Sequence, residues 1–593
     1  MNTFEVKEEF VLNGKPFQIL SGAVHYFRIP KEYWEDSLYN LKAMGFNTVE
    51  TYIPWNLHEP EEGRFDFSGN KDIEAFVRLA RETGLWVILR PSPFICAEWE
   101  FGGLPAWLLR YEGMKVRTNT ALFLEKVDAY YQELFFHIRD LQITKGGPVL
   151  MMQIENEYGS FGNDKAYLRS IRALMEKYGA DVPLFTADGA WDDVLEAGTL
   201  IDEGILPAGN FGSRSNENLD AMEAFFKRHH KKFPLMCMEF WDGWFGRWGE
   251  DIIRRDAVEL ADCVKELLKR AGINLYMFHG GTNFGFYNGC SARGEKDLPQ
   301  LTSYDYDAVL TEWGEPTGKF YEIQKTVAEL FPQNPVFPPR IRKRGRPSKA
   351  VLMEKVSLFS CCGQISQAKE SVYPLTMEQA GKGYGYMLYM TQVLGFGAER
   401  KIKAVGASDR AQFYLNGVHQ KTQYGEELGE EILMMLPEGE QQLAVLVENM
   451  GRVNYGYKLL SPSQKKGIRS GVMADIHFES GWTQYALELE DISGLSYDGE
   501  WREGTPAFYR YEFTAEETLD TFLDCRGLGK GAAFINGVNL GRFWERGPAA
   551  SLFIPGVYLK EGKNELTVFE TEGTYTQTLS FSKDPVFISP EKR

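Results

Sequence analysis

From residue 1 to about 330 the chain alternates short, nearly unbroken apolar runs with longer stretches of helical periodicity. Candidate strands are Phe17–Val24, Thr48–Pro54, Leu85–Arg90, Val149–Glu155, Pro183–Ala187, Ile205–Asn210, Leu235–Phe240 and Ile273–Phe278. Candidate helices between them include Asp72–Thr83 (DIEAFVRLARET) and Arg255–Ala271. Continuous apolar strands separated by helices predict a parallel sheet covered on both faces. Eight strands in this length predict a closed (β/α)8 TIM barrel over residues 1–330. The alternative is an open doubly wound sheet, weakened because no Gly-x-Gly-x-x-Gly turn follows an early strand.

Residues 331–349 (FPQNPVFPPRIRKRGRPSK) are rich in Pro and basic residues, lack periodicity, and read as a linker. Their Arg344-Gly345-Arg346-Pro347 has the look of a minor-groove hook, but one copy on an acidic chain reads as a solvated turn. Beyond residue 350 the pattern changes to short alternating strands with Gly and Asn turns. Two all-β sandwich or jelly-roll domains are expected, over 350–475 and 476–593, the second of galactose-binding type. Asn416-Gly417 in AQFYLNGVHQ and Asn536-Gly537 in AAFINGVNLGRFW each follow an apolar strand, a strong hairpin signal. Their similar flanks suggest a duplicated module.

A chain of 593 residues exceeds what one core serves, which agrees with several domains. Aromatic residues make up 14%, with 13 Trp and 29 Tyr, whose flat faces suit sugars as well as β-sheet cores. The net charge of −18 repels nucleic acid and anionic membrane, so neither is an expected partner. The seven Cys, at 96, 237, 263, 290, 361, 362 and 525, are sparse and show no metal-ligand spacing. Together with the absence of a basic-then-apolar leader in MNTFEVKEEFVLNG, they lead us to expect a cytoplasmic protein. For assembly the sequence adds nothing to the general prevalence of homodimers.

Catalytic groups on such a barrel stand at the C-terminal ends of strands. Two predicted strand ends carry a Glu straight after an apolar run: VLMMQIENEYG, with Glu155, Asn156 and Glu157, and PLMCMEFWDGW, with Glu239. A buried Glu is costly unless paired or used. Two of them ringed by aromatics fit glycosidic bond cleavage, where one carboxylic acid protonates the leaving oxygen and a second carboxylate attacks C1 or activates water.

QIENEYGS and PLMCMEFWDGW resemble the active-site segments of the family 35 glycoside hydrolases, β-galactosidases of a retaining barrel clan. SGAVHYFRIP, TYIPWNLHEP, ICAEWEFGGLPAWL, MFHGGTNFG, TSYDYDAVLTEWG, VENMGRVNYG and INGVNLGRFW extend the resemblance over nearly the whole chain. The resemblance implies Glu157 as acid/base at the end of the fourth strand and Glu239 as nucleophile at the end of the seventh. It further implies that Tyr52, Cys96, Ala97, Glu98, Asn156 and Tyr306 line a galactose pocket, with Tyr306 orienting the nucleophile. Trp241, Trp244 and Tyr455 are candidates for the leaving-group subsite, while Trp99 and Trp248 are expected to pack.

No metal or organic cofactor is implied, and the expected partner is a galactoside oligosaccharide, such as one with β-1,3-linked galactose on GlcNAc. Val309 and Trp313 depart from the family pattern and are expected at the pocket rim. The competing readings are another retaining exo-β-glycosidase of the clan, such as a β-glucosidase, and a carbohydrate-binding protein without catalysis.

Overall fold

The computed structural model describes residues 2–590. Eight parallel strands close a barrel in sequence order: β1 Leu20–Val24, β2 Thr48–Tyr52, β3 Trp86–Arg90, β4 Val149–Gln153, β5 Leu184–Gly189, β6 Leu206–Asn210, β7 Met236–Trp241 and β8 Gly272–His279. Each falls within its predicted run, to within a few residues at either end. Every residue of β4 is buried, as expected for a strand covered on both faces. Phe17 lies outside β1 and instead packs edge-on against Phe4 of a small N-terminal sheet, which explains the early start of the predicted first strand.

The outer helices start where acidic caps permit. Asp72 accepts the Ala75 N–H ahead of α2 (Ile73–Glu82; α1 is Trp34–Ala43). Asp256 likewise caps Ala257–Leu268. Such a cap satisfies N–H groups that the helix itself cannot, worth about 1 kcal/mol.

The two β domains follow, with their boundaries crossed in both directions. Strand Ala350–Ser357, expected to open the first domain, pairs with Ala507–Ala515 in the eight-stranded sheet of the C-terminal domain. Trp482–Leu487, expected in the second domain, pairs with Tyr386–Met390 in the six-stranded sheet of the first. Sandwich strands carry the same alternation whichever sheet they join, so partner choice rests on contacts distant in sequence. Both Asn-Gly turns form two-residue hairpins with positive φ at each turn residue, joining Arg410–Leu415 to Val418–Tyr424 and Lys530–Ile535 to Val538–Trp544. Each has a bulge at the corresponding position and pairs next with a third strand, Gly439–Glu448 or Gly562–Glu570, so the two modules repeat one local design.

Residues 331–349 form no helix or strand but are fastened down. Arg344 pairs with Glu315 and Asp584, Arg342 with Asp520, and Phe337 packs on Tyr39. Trp313, expected at the pocket rim, instead packs edge-on against Phe522 of the C-terminal domain, and Val309 is buried in the barrel core. Buried charges join the three domains. Arg452 bridges Glu100 of the barrel and Glu378, and Glu448 is held by Lys530 and Arg542.

Candidate active site

The chain leaves β4 along a kinked path, with Glu155 and Glu157 both in left-handed conformation, φ 57° and 46°. Such residues cost about 1–2 kcal/mol each and persist only where neighbours fix them. Here the Glu157 N–H donates to Ala187 O at 3.0 Å, and Gly159 N–H to the buried Asp188 at 2.7 Å. The two carboxylates of this segment then part company. Glu155 is clamped by Arg117 through two 2.8 Å contacts and accepts the Tyr167 hydroxyl at 3.0 Å. It is a paired structural anion. Among the described residues, Glu157 accepts from Asn210 Nδ2 alone, at 3.1 Å. Burial and, next, the Glu239 carboxylate push the Glu157 acid up to about 8.

Across the mouth, β7 carries Glu239 at a register shift against both neighbouring strands. Bulges of this kind re-aim a side chain. Glu239 Oε1 accepts from the Tyr52 hydroxyl at 2.6 Å and lies 2.8 Å from Arg90 Nη2, while Trp241 Nε1 reaches Oε2 at 3.2 Å. One carboxyl therefore sits in a donor-rich, cationic cradle, while the other is buried with a single amide donor described for it.

Asn156 ties the two halves together. Its Oδ1 accepts from Arg90 (2.7 Å) and Gln153 (3.0 Å) and lies 2.9 Å from the Tyr52 hydroxyl oxygen, and its Nδ2 donates to Ile95 O at 3.2 Å. A second N–H of that amide remains for a ligand.

Cys96, Ala97 and Glu98 are three consecutive non-glycine residues with φ 56°, 47° and 48°. The strap is held from several sides. Arg28 donates to Ala97 O at 2.5 Å, Gly289 N–H to Glu98 O at 2.9 Å, and Asn454 Nδ2 of the first β domain to Cys96 Sγ at 3.3 Å. The strap carries the Glu98 carboxyl, which feels the Glu239 charge. It accepts the Tyr304 hydroxyl at 2.6 Å, and burial pushes it up to about 7.

Tyr306 lies in the same wall, against Tyr276, Tyr304 and Trp244, but none of its described hydrogen bonds reaches Glu239. Tyr52, Arg90 and Trp241 make the described contacts to the Glu239 carboxyl. Trp241 and Trp244 stand perpendicular at 5.8 Å beyond Glu239. Tyr455, 43% exposed, reaches from the first β domain to Ser160 beside Glu157. Trp99 stacks on Tyr287 and Trp248 packs near Trp544, as expected.

Residues 9–330 match the model of glycosyl hydrolases family 35. Residues 374–488 match the beta-galactosidase first all-beta domain, and 506–564 the beta-galactosidase galactose-binding domain. The chain belongs to glycosyl hydrolase family 35. Among similar proteins, human beta-galactosidase-1-like protein 3 is 39% identical over 95% of this chain and 86% of its own length. The beta-galactosidase of Xanthomonas manihotis is 40% identical over 92% and 90%. Beta-galactosidase 8 of Oryza sativa subsp. japonica is 35% identical over 98% and 94%. The protein is thus a glycoside hydrolase with the domain set of a β-galactosidase.

Several residues of this family 35 site escaped the sequence reading. Arg90 is fully buried between Glu239 and Glu50, 3.8 Å from the latter. Asn210, Arg28 and Tyr304 also went unnoticed. Arg90 and Asn210 could have been found by the rule that singled out the glutamates, since each ends an apolar strand run, WVILR and LPAGN.

Proposed function

We propose that this family 35 enzyme is an exo-acting, retaining β-galactosidase that releases terminal β-linked galactose from short oligosaccharides by double displacement. Glu239 attacks the anomeric carbon while Glu157 protonates the departing oxygen, giving a covalent galactosyl-enzyme. Glu157 then takes a proton from water, which displaces Glu239 with overall retention.

The observation that carries the reading is the contrast between the two carboxyls at the ends of β4 and β7. Glu239 is paired with Arg90 and bonded by Tyr52, an arrangement suited to an anion. Glu157, raised by burial and by Glu239, holds its proton at neutral pH and is ready to give it up. Glu157 feels the Glu239 carboxylate, and retention calls for a separation of about 5–5.5 Å between the two.

Exo action is supported by the Glu98–Tyr304 pair, whose polar atoms are suited to terminal sugar hydroxyls. Asn156 is placed to hold the 2-hydroxyl through its remaining N–H, a contact that strengthens in the transition state. Trp241, Trp244 and Tyr455 offer flat faces to the leaving group.

The test is hydrolysis of p-nitrophenyl β-galactoside beside the β-glucoside and β-fucoside, by wild type and Glu239→Gln. Strong β-galactoside cleavage abolished in the variant is expected. Preferred cleavage of the glucoside, or an active variant, overturns the reading.

A further inference from the structure

A groove of about 500 Å³ opens beside the catalytic pair, walled by the loops after β5, β6 and β7. Neither Glu157 nor Glu239 lines it. Its lining includes Trp241, whose indole N–H meets Glu239, together with Trp244, Trp191 and Asn218. We propose that this groove is a further leaving-group subsite for a neutral hexose one residue beyond the sugar attached to the departing oxygen, with Trp191 as its stacking face. This rests on the reading that the leaving group departs past Trp241 and Trp244.

Size argues for more than one sugar. A pyranose displaces about six waters, or about 180 Å³ at about 30 Å³ each, well under the volume of the groove. The groove is also preformed. Arg255 donates to both Gly212 O (2.6 Å) and Trp241 O (2.7 Å), tying the loop after β6 to the end of β7.

Trp191 has the features of a platform rather than of a core residue. It is 49% exposed, although large aromatic rings are normally buried. Its ring lies on Gly189 at the end of β5, where a Cβ would come within 2.5 Å of it, so bare backbone supports the ring from beneath. An exposed ring held in this way inside a concave groove offers a fixed apolar face to the C–H side of a sugar.

The polar atoms select neutral ligands. Both cations in the walls have an anionic neighbour, Arg255 with Glu259 at 2.8 Å and Arg214 with Glu217 at 3.7 Å, so no net charge favours a uronic or sialic acid. Asn218 Nδ2 donates to Ser213 O (2.8 Å) and Arg214 O (3.2 Å), which fixes the amide and leaves Oδ1 to accept a sugar hydroxyl.

The experiment compares kcat/KM for a β-galactosyl disaccharide and for the trisaccharide that extends it by one neutral hexose at the reducing side. The wild type is expected to favour the trisaccharide by about 5- to 20-fold, the value of one stacked ring with its hydrogen bond. Trp191→Ala should bring the trisaccharide-to-disaccharide ratio close to one, and Trp191→Phe should keep most of the preference. Asn218→Ala, which leaves the aromatic platform in place, should lower the same ratio by severalfold. A wild type with no preference for the trisaccharide overturns the proposal, as does a Trp191→Ala variant that loses activity on both substrates equally. Failure of the wild type to cleave either galactoside overturns the functional reading itself, and so is distinct from failure of the subsite.

Discussion

Replacing Arg90 with Met removes the one cation that Glu239 shares with the barrel core. Arg90 Nη2 stands 2.8 Å from Glu239, and Nη1 stands 3.8 Å from Glu50, with the guanidinium 3.9 Å from the Tyr52 ring centroid. At an effective dielectric of about 20, a unit-charge pair is worth roughly 6 kcal/mol at the first distance and roughly 4 kcal/mol at the second. Desolvation of the charges offsets part of this, so removing one partner of a buried pair costs about 3–5 kcal/mol. Met fills a similar volume, so the loss isolates the charge and its hydrogen bonds rather than a cavity.

For a domain of this size the cost lowers the calorimetric midpoint of the barrel by about 2 °C per kcal/mol, or about 6–10 °C in all. Turnover should fall by about 10²-fold or more, because the nucleophile loses both its countercharge and its fixed orientation. Arg90→Lys separates the two effects. It restores most of the midpoint, but not the rate, because an ammonium cannot serve Glu239, Asn156 and Gln153 together. An Arg90→Met enzyme with unchanged midpoint and unchanged turnover would refute the reasoning.

Other consequences are open to the same kinds of assay. Glu157 is held protonated up to about pH 8 by burial and by Glu239, so kcat/KM should fall as pH rises through that value. Glu157→Gln should erase this alkaline limb and lower turnover of a disaccharide by about 10²–10⁴-fold, with the unfolding midpoint showing whether the fold is kept. Tyr455→Ala should raise KM for oligosaccharides by about tenfold through loss of an aromatic face beside Glu157, as read from steady-state kinetics. Arg452→Met should strand Glu100 and Glu378 as buried carboxylates and destabilise the protein by about 3–5 kcal/mol. Because Phe101 N–H donates to Arg452 O, and Asn454 holds Cys96, that variant should also raise KM by loosening the strap that carries Glu98.

The eight barrel strands were legible because fully buried parallel strands are written as continuous apolar runs, and helices such as Ile73–Glu82 announce themselves with a capping Asp. The Asn-Gly hairpins were legible for a related reason, since a two-residue turn needs residues that tolerate positive φ. The glutamates ending β4 and β7 stood out as costly charges after apolar runs. The division between Glu155 and Glu157 was not legible from the residues alone, because it depends on Arg117, which lies 38 residues before Glu155 and folds back onto it.

Non-local pairing also hid the membership of Ala350–Ser357 in the C-terminal sheet and the position of Trp313 against Phe522. Arg90 is a different case, since its signal was present in WVILR but a strand-end cation was not weighed as a strand-end acid was.

The account stands most directly on Glu239 as the residue that becomes bonded to galactose. Incubation with a 2-deoxy-2-fluoro-β-galactoside bearing a good leaving group slows breakdown of the glycosyl-enzyme more than its formation, so the intermediate accumulates. Intact-mass measurement followed by peptide mapping should then find one fluorogalactosyl group, on Glu239 within the segment PLMCMEFWDGW. A label on any other carboxylate, or turnover of the β-galactoside to α-galactose as the first product without a label, would contradict it.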